Sequence, residues 1–160
     1  AGVVLTRDTL YDRIWGIDFD TSSRSLDVHI SYLRQKTEAA AYVNACLLDA
    51  TRPGATGSEL YAAAANAYAE KGFADDIHLH HQGGAAGYKT REWVAHPLSA
   101  EVVQEDQGFA WNPSITGTKV EETCIATAEG VEIVTASPDF PQIVTTVGGR
   151  DHLSPGILSV

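Results

Sequence analysis

Methionine is absent from all 160 residues, position 1 included, so we expect a fragment or a processed chain. Cysteine is nearly absent too. Cys46 and Cys124 stand alone, without a CxxC or any paired spacing. A disulfide framework is therefore excluded, and two free thiols in a reducing compartment, the cytoplasm, are expected. Bases are scarce: 11 Lys and Arg oppose 21 Asp and Glu, a net charge of −10. That field repels nucleic acid unless bases are concentrated locally, so nucleic acid is not expected as a partner. No apolar run approaches the roughly 20 residues that span a bilayer, and no basic-then-apolar leader opens the chain, so no membrane partner is expected. The hydrophobic share of 44% and charged share of 20% suit a compact domain with a real core.

The first 38 residues are charge-dense and helical in period. In "LTRDTLYDRIWG", Thr6 is placed to cap a helix with Leu10 and Ile14 on its apolar side, and Gly16 stops it. "DFDTSS" reads as a polar turn. A second helix follows with Leu26, Ile30 and Leu33 on one face and Arg24, His29, Tyr32, Arg34 and Lys36 on the others. From Ala39 the composition turns alanine-rich, then glycine-rich, then strand-like, and Ala39–Tyr42 is the expected junction. "TGSELYAAAANAYAEKGF" is a capped helix: Thr56 with Glu59 forms a capping box and Gly72 ends it. Its Tyr61, Ala64, Ala65 and Tyr68 are expected to face the strands. Strands are expected over 108–115, 122–130 and 131–135, the last two joined as a hairpin at Glu129-Gly130. Trp93 and Trp111 read as core or cleft wall, and Cys124 as an inert buried thiol. "GGRDHLSPGIL" reads as a turn-rich tail with Arg150 and His152 at the surface.

"HLHHQGGAAGYKTREW" holds His78, His80 and His81 beside a glycine cluster. On a strand His78 and His80 would share one face and His81 the other, a poor metal set. Glu92, Glu121 and Glu122 could add carboxylates. The alternative is histidines at a strand end, bonded to backbone.

Two resemblances attach to these segments. Residues 2–36, through the run "VLTRDTLYDRIWGIDFDTSSRSLDVHISYLRQK" that begins at Val4, resemble the helix–loop–recognition-helix core of the winged-helix output domain of bacterial response regulators. That resemblance implies that Arg24, His29, Tyr32, Arg34 and Lys36 face DNA, through phosphates or the major groove. The family's leading sheet, first helix and wing hairpin have no counterpart here.

Residues 44–158 resemble the C-terminal part of the pita-bread fold of Xaa-Pro aminopeptidases, prolidases, methionine aminopeptidases and creatinase. The resemblance is carried by "RPGATGSEL", "HHQGGAAGY", "REW…P", "FAWNPSITGTKVEET" and "EGVEIVT". Active members hold two divalent metals with two aspartates, one histidine and two glutamates. The family's H-x-x-G-H-G-x-G motif begins at His80, with Gly83 and Gly87 on its glycines, but its ligand histidine falls on Gly84. The first glutamate falls on Asn112; the last is retained as Glu121. The aspartate pair belongs upstream of Asn44, where the winged-helix-like segment stands, and Asp49 does not match it. Four of five ligands are thus absent, and neither glycine nor asparagine can replace a charged or imidazole donor. The resemblance leaves a cleft of His80, Arg91, Glu92, Lys119 and Glu121. It would suit a small peptide or small acidic molecule, with His80 as general acid/base and Glu121 or Glu92 orienting it.

The expected fold is α+β: a partial pita-bread curved antiparallel sheet with helices over 39–160, preceded by a two-helix winged-helix-like segment over 1–38. The expected function is a peptidase- or creatinase-like hydrolase domain, inactive in this form, without metal or cofactor. The change near residue 39 points to a fusion, a recombined gene or a designed sequence. A DNA-binding regulator and a scaffold are the rival readings, and a homo-oligomer is compatible with all three.

Overall fold

The computed structural model describes residues 5–16 and 24–158, so the turn expected at 18–23 lies outside the described residues. Helix α1 spans Arg7–Trp15. Thr6 caps it by accepting from the Thr9 N–H at 3.2 Å, and Gly16 leaves it at φ 92°. Leu10 is half-buried and Ile14 is exposed, whereas Tyr11 is buried, and its hydroxyl accepts from the Leu26 N–H at 3.4 Å. Arg7 pairs with Asp27 at 2.6 Å across the two helices.

Helix α2 runs unbroken over Ser25–Ala50, straight through the expected junction. Its two ends live in different surroundings. Leu26 is buried, but Val28, Ile30, Tyr32 and Leu33 are exposed, so the Leu26, Ile30, Leu33 stripe does not face a core. Among the described residues, α1 meets the start of α2, through Tyr11 to Leu26 and Arg7 to Asp27. From Ala39 onward α2 is buried nearly all round by Ala39, Ala40, Ala41, Val43, Ala45, Leu47 and Leu48. Alanine on several faces lets other elements approach closely on each side, as a helix enclosed in a core requires.

Helix α3 spans Gly57–Glu70, and its capping box is present in full. The Glu59 N–H donates to Thr56 Oγ1 at 3.3 Å, and the Thr56 N–H donates to Glu59 Oε2 at 2.7 Å. The chain leaves α3 through Gly72 at φ 81°. The face it buries is Leu60, Ala64, Ala67 and Tyr68; Tyr61 and Ala65 flank it, half-buried. A 3-10 turn, Ala74–His78, follows.

The main sheet has the order β2-β1-β3-β6-β7 and is antiparallel throughout. Its strands are β1 (Gly83–Ala85), β2 (Trp93–Val94), β3 (Gly108–Trp111), β6 (Glu122–Thr127) and β7 (Gly130–Ile133). Along β6, Glu122, Cys124 and Ala126 point into the core, alternating with half-buried Thr123, Ile125 and Thr127. The β6–β7 hairpin closes with Thr127 opposite Gly130, where the sequence placed it. Phe109 and Trp111 stack at 5.6 Å, Trp93 meets Phe109 edge-on at 5.5 Å, and Trp111 Nε1 donates to Thr51 Oγ1 at 3.1 Å. These aromatics cement the sheet to the helices.

Two small hairpins complete the α+β fold. One pairs β4 (Ser114–Ile115) with β5 (Thr118–Lys119). It breaks the strand expected over 108–115 at Asn112-Pro113, because proline cannot donate to a ladder. The other pairs β8 (Gln142–Val147) with β9 (Arg150–Pro155) where a turn-rich tail was expected. Gly148 and Gly149, at φ 59° and 77°, supply the two positive-φ residues that a tight two-residue hairpin needs. This hairpin packs on α2 and buries His152, which therefore is not a surface residue; Arg150 is exposed and grips Asp49 at 2.7 Å.

Among the described residues, no helix is long and apolar enough to cross a membrane. Both cysteines are free, and burial pushes the Cys124 thiol up to about 12, which fits an inert role.

Candidate functional site

The cleft residues that the sequence grouped together are only partly united. His80 and His81 lie in the loop after the 3-10 turn and before β1, not on a strand, and His78 ends that turn. Arg91 and Glu121 line one cavity of about 290 Å³ with Ala110, Trp111, Glu122, Thr123 and Thr135. Lys119 pairs with Glu121 at 2.7 Å, both well exposed. Glu92 is turned into its own loop, accepting from the Lys89 N–H at 3.0 Å. His80 faces neither glutamate: Nε2 meets Ser114 Oγ and Nδ1 meets the His81 carbonyl. The expectation that Glu121 or Glu92 orients His80 is therefore corrected. A backbone carbonyl does so.

Burial and then the charges of Arg91, His80 and Lys119 hold the His81 imidazole below its ordinary value. The loop thus lies near two cations, Arg91 and Lys119, the second of which is paired with Glu121. Two buried atoms beside the loop, Arg91 Nε and Asn112 Oδ1, have no hydrogen-bond partner among the described residues. Buried polar atoms are rarely left so in a finished core, and at a cleft they mark places where water or a ligand can bond.

Two of the positions that the resemblance matches to metal ligands, Gly84 and Asn112, carry neither a charged nor an imidazole donor. Gly84 sits mid-sheet in β1, between Val94 and Ala110. A Cβ there would lie 2.1 Å from the Trp93 carbonyl oxygen and 2.8 Å from Val94 Cα, so no side chain enters without opening the sheet. Asn112 has no charge to bridge two cations. Among the described residues, no group of three or more His, Cys, Asp or Glu side chains is placed to hold a metal ion.

A second polar cluster lies behind the sheet and was not anticipated. Asn44 Nδ2 donates to Glu122 and, at 3.1 Å, to Ser154 Oγ, tying α2, β6 and β9 together. Burial raises the Glu122 carboxyl to about 7, opposed by the Asn44 hydrogen bond. Ser114 was likewise missed, as were Tyr68 and Gln82 behind it. Nothing in periodicity pairs residues so far apart in the chain.

The residues matched by the winged-helix resemblance occupy the outer half of α2. Arg24, His29, Tyr32 and Arg34 are exposed, while Lys36 donates to the Thr116 carbonyl at 2.6 Å and lies 5.0 Å over the Tyr32 ring.

Comparison with known proteins separates the same two regions. Residues 1–49 match the family described as transcriptional regulatory protein, C terminal. Response regulator MprA of Mycobacterium sp. (strain KMS) is 54% identical over 37 residues, 23% of this chain and 16% of that protein. MprA of Mycobacterium tuberculosis (strain ATCC 25177 / H37Ra) is 53% identical over 36 residues, again 16% of its length. The chain thus spans about a sixth of these curated relatives. Among solved structures, dipeptidase PepE of Mycobacterium ulcerans superposes with TM-score 0.60 at 23% identity, over 67% of this chain and 30% of that one. Prolidase from Pyrococcus furiosus gives 0.58 at 24%, over 65% and 32%. The N-terminal domain of FACT complex subunit SPT16 from chickpea gives 0.55 at 16%, over 64% and 28%. The regulatory match counts against the expectation, drawn from net charge, that nucleic acid is no partner. Net charge is an average, and Arg24 and Arg34 stand on one exposed helical arm. The chain joins a segment similar to a response-regulator DNA-binding output domain to a prolidase-like fold.

Proposed function

We propose that the sheet region is a half pita-bread domain that has lost two-metal peptidase chemistry, in a chain assembled by fusion near residue 39. The division into 1–38 and 39–160 is then one of sequence origin, since α2 crosses it intact. The observation that carries this reading is Gly84, where the sheet has closed over the position of the ligand histidine. The FACT subunit supports it as well, since that protein of the same fold is named as part of a complex rather than as a peptidase. Elemental analysis after dialysis without chelator should find no stoichiometric divalent metal, and two tightly held ions per chain would overturn the reading. The double substitution Gly84→His, Asn112→Glu should not create a metal site, because the aspartate pair has no counterpart and the sheet would have to open.

One observation favours a second reading, duplex contact by the outer half of α2: Tyr32 and Arg34 are exposed on a continuous helix, and Arg24 is exposed at its N-cap. Titrating labelled duplexes against the full chain and Arg34→Ala tests it. Affinity that falls with salt and with the substitution supports contact through phosphates; equal curves for both proteins reject it.

A further inference from the structure

The histidine loop has a use that no metal enters. We propose that Ser114 is a nucleophile activated by His80, forming an acyl-serine with small esters that carry negative charge. Three observations place the pair. His80 Nδ1–H points at the His81 carbonyl, which fixes the tautomer and leaves Nε2 as the acceptor facing the Ser114 hydroxyl. A nucleophile, a base in hydrogen-bond reach and a third group orienting the base are the parts of an activated serine.

The pair is also held from behind. The Tyr68 hydroxyl, fully buried, accepts from the Ser114 N–H at 2.9 Å and donates to Gln82 Oε1 at 2.7 Å. Gln82 Nε2 in turn donates to the His80 carbonyl at 2.8 Å. One buried Tyr–Gln bridge therefore sets the backbones of both reacting residues, and Tyr68 and Gln82 are positioning residues. Such fixed placement lets a weak nucleophile react.

The charge class follows from the neighbours. Lys119 is the cross-strand partner of Ser114 and is itself paired with Glu121, while Arg91, with no carboxylate bonded to it among the described residues, acts with Lys119 on the adjacent His81. A carboxylate on the ester is drawn to these cations, and the same field favours the oxyanion that forms during attack.

In the reaction, Ser114 Oγ bonds to the ester carbonyl carbon while its proton passes to His80 Nε2. The carbon–oxygen bond to the alcohol then breaks, and the leaving oxygen takes that proton. Water, giving its proton to His80, cleaves the acyl-serine to the free acid and restores the hydroxyl.

The test uses the full chain in chelator with 4-nitrophenyl acetate and the 4-nitrophenyl monoester of succinic acid, following nitrophenolate release and mapping the adduct by peptide mass spectrometry. One acyl group should appear on Ser114, faster from the succinyl ester. Ser114→Ala should abolish it, and His80→Gln should slow it about 100-fold or more, the scale of a lost general base. Because either change could disturb the loop, Ser114→Cys is the control. Its thiol should alkylate with iodoacetamide more slowly once His80→Gln is added. Acylation confined to lysines or to His80, no adduct above that of the urea-unfolded chain, or equal alkylation of the two cysteine variants would each overturn the proposal. Chelator keeps its failure distinct from any retained metal chemistry.

Discussion

The two halves of α2 share one backbone and almost nothing else. Residues 25–36 show solvent four large apolar side chains, Val28, Ile30, Tyr32 and Leu33, while residues 39–48 are enclosed by α3, the sheet and the β8–β9 hairpin. The outer half has an apolar stripe at helical spacing and still packs on little; the inner half has modest side chains and anchors the fold. Amphipathic spacing shows that a helix can bury a face, not that a face is there to receive it. What decides is the partner surface.

The comparison is most open to attack at Val43, fully buried in the inner half. Val43→Asp should cost several kcal/mol, a large part of a total near 5–15, by burying an unpaired carboxylate. Urea titration should find the chain largely unfolded. A stable, cooperative Val43→Asp protein would break the distinction.

Thr37→Pro, at the passage between the halves, should cost the outer helix about 3 kcal/mol of local stability by removing a hydrogen bond and crowding the preceding turn. Hydrogen exchange should show residues 25–36 losing protection while β3 and β6 keep theirs. Protection lost throughout the sheet would mean that the outer half supports the core.

The core around the inner half should also carry the pH dependence, through Glu122 of β6, which Asn44 of α2 bonds. Glu122, held at about 7 against an ordinary 4.5, binds its proton more tightly folded than unfolded. The contribution is full below about pH 4.5 and is lost as pH rises through about 7, up to about 3 kcal/mol for a shift of this size. Glu122→Gln should flatten that slope in denaturation curves at several pH values. An unchanged slope would place the titrating group elsewhere.

The smallest effect belongs to the outer half. Val28→Asp should move the urea midpoint by no more than about 0.5 kcal/mol equivalent, the usual range for exposed sites. A larger loss would reveal a partner for that face, such as a second copy of the chain.

Much of the fold was legible where local chemistry alone decides it. The Thr56–Glu59 box and the β6 alternation were readable because caps and pleats depend on near neighbours. The β8–β9 hairpin was not, although Gly148-Gly149 signalled it, because "RDHLSP" is too polar to look like a strand until Asp49 and Asn44 on α2 engage its charges and hydroxyl. At the candidate site, His80 was singled out by its motif, while the partners expected for it, Glu92 or Glu121, are not the groups its ring meets. Ser114 escaped notice because it meets His80 directly but from 34 residues farther along the chain, in a geometry that Tyr68 and Gln82 hold from elsewhere in the fold.

The continuity of α2 has a mechanical consequence. Its 26 residues, at about 1.5 Å each, make a rod some 39 Å long with no joint between its ends. Whatever grips the outer end is held at a fixed reach and bearing from the sheet, like a key blank on its shank. Inserting one residue at position 37 would turn the outer face by about 100° and lengthen the rod by about 1.5 Å, whereas four would nearly restore the bearing one turn farther out. The phase of the helix, more than its composition, determines which way the outer face looks.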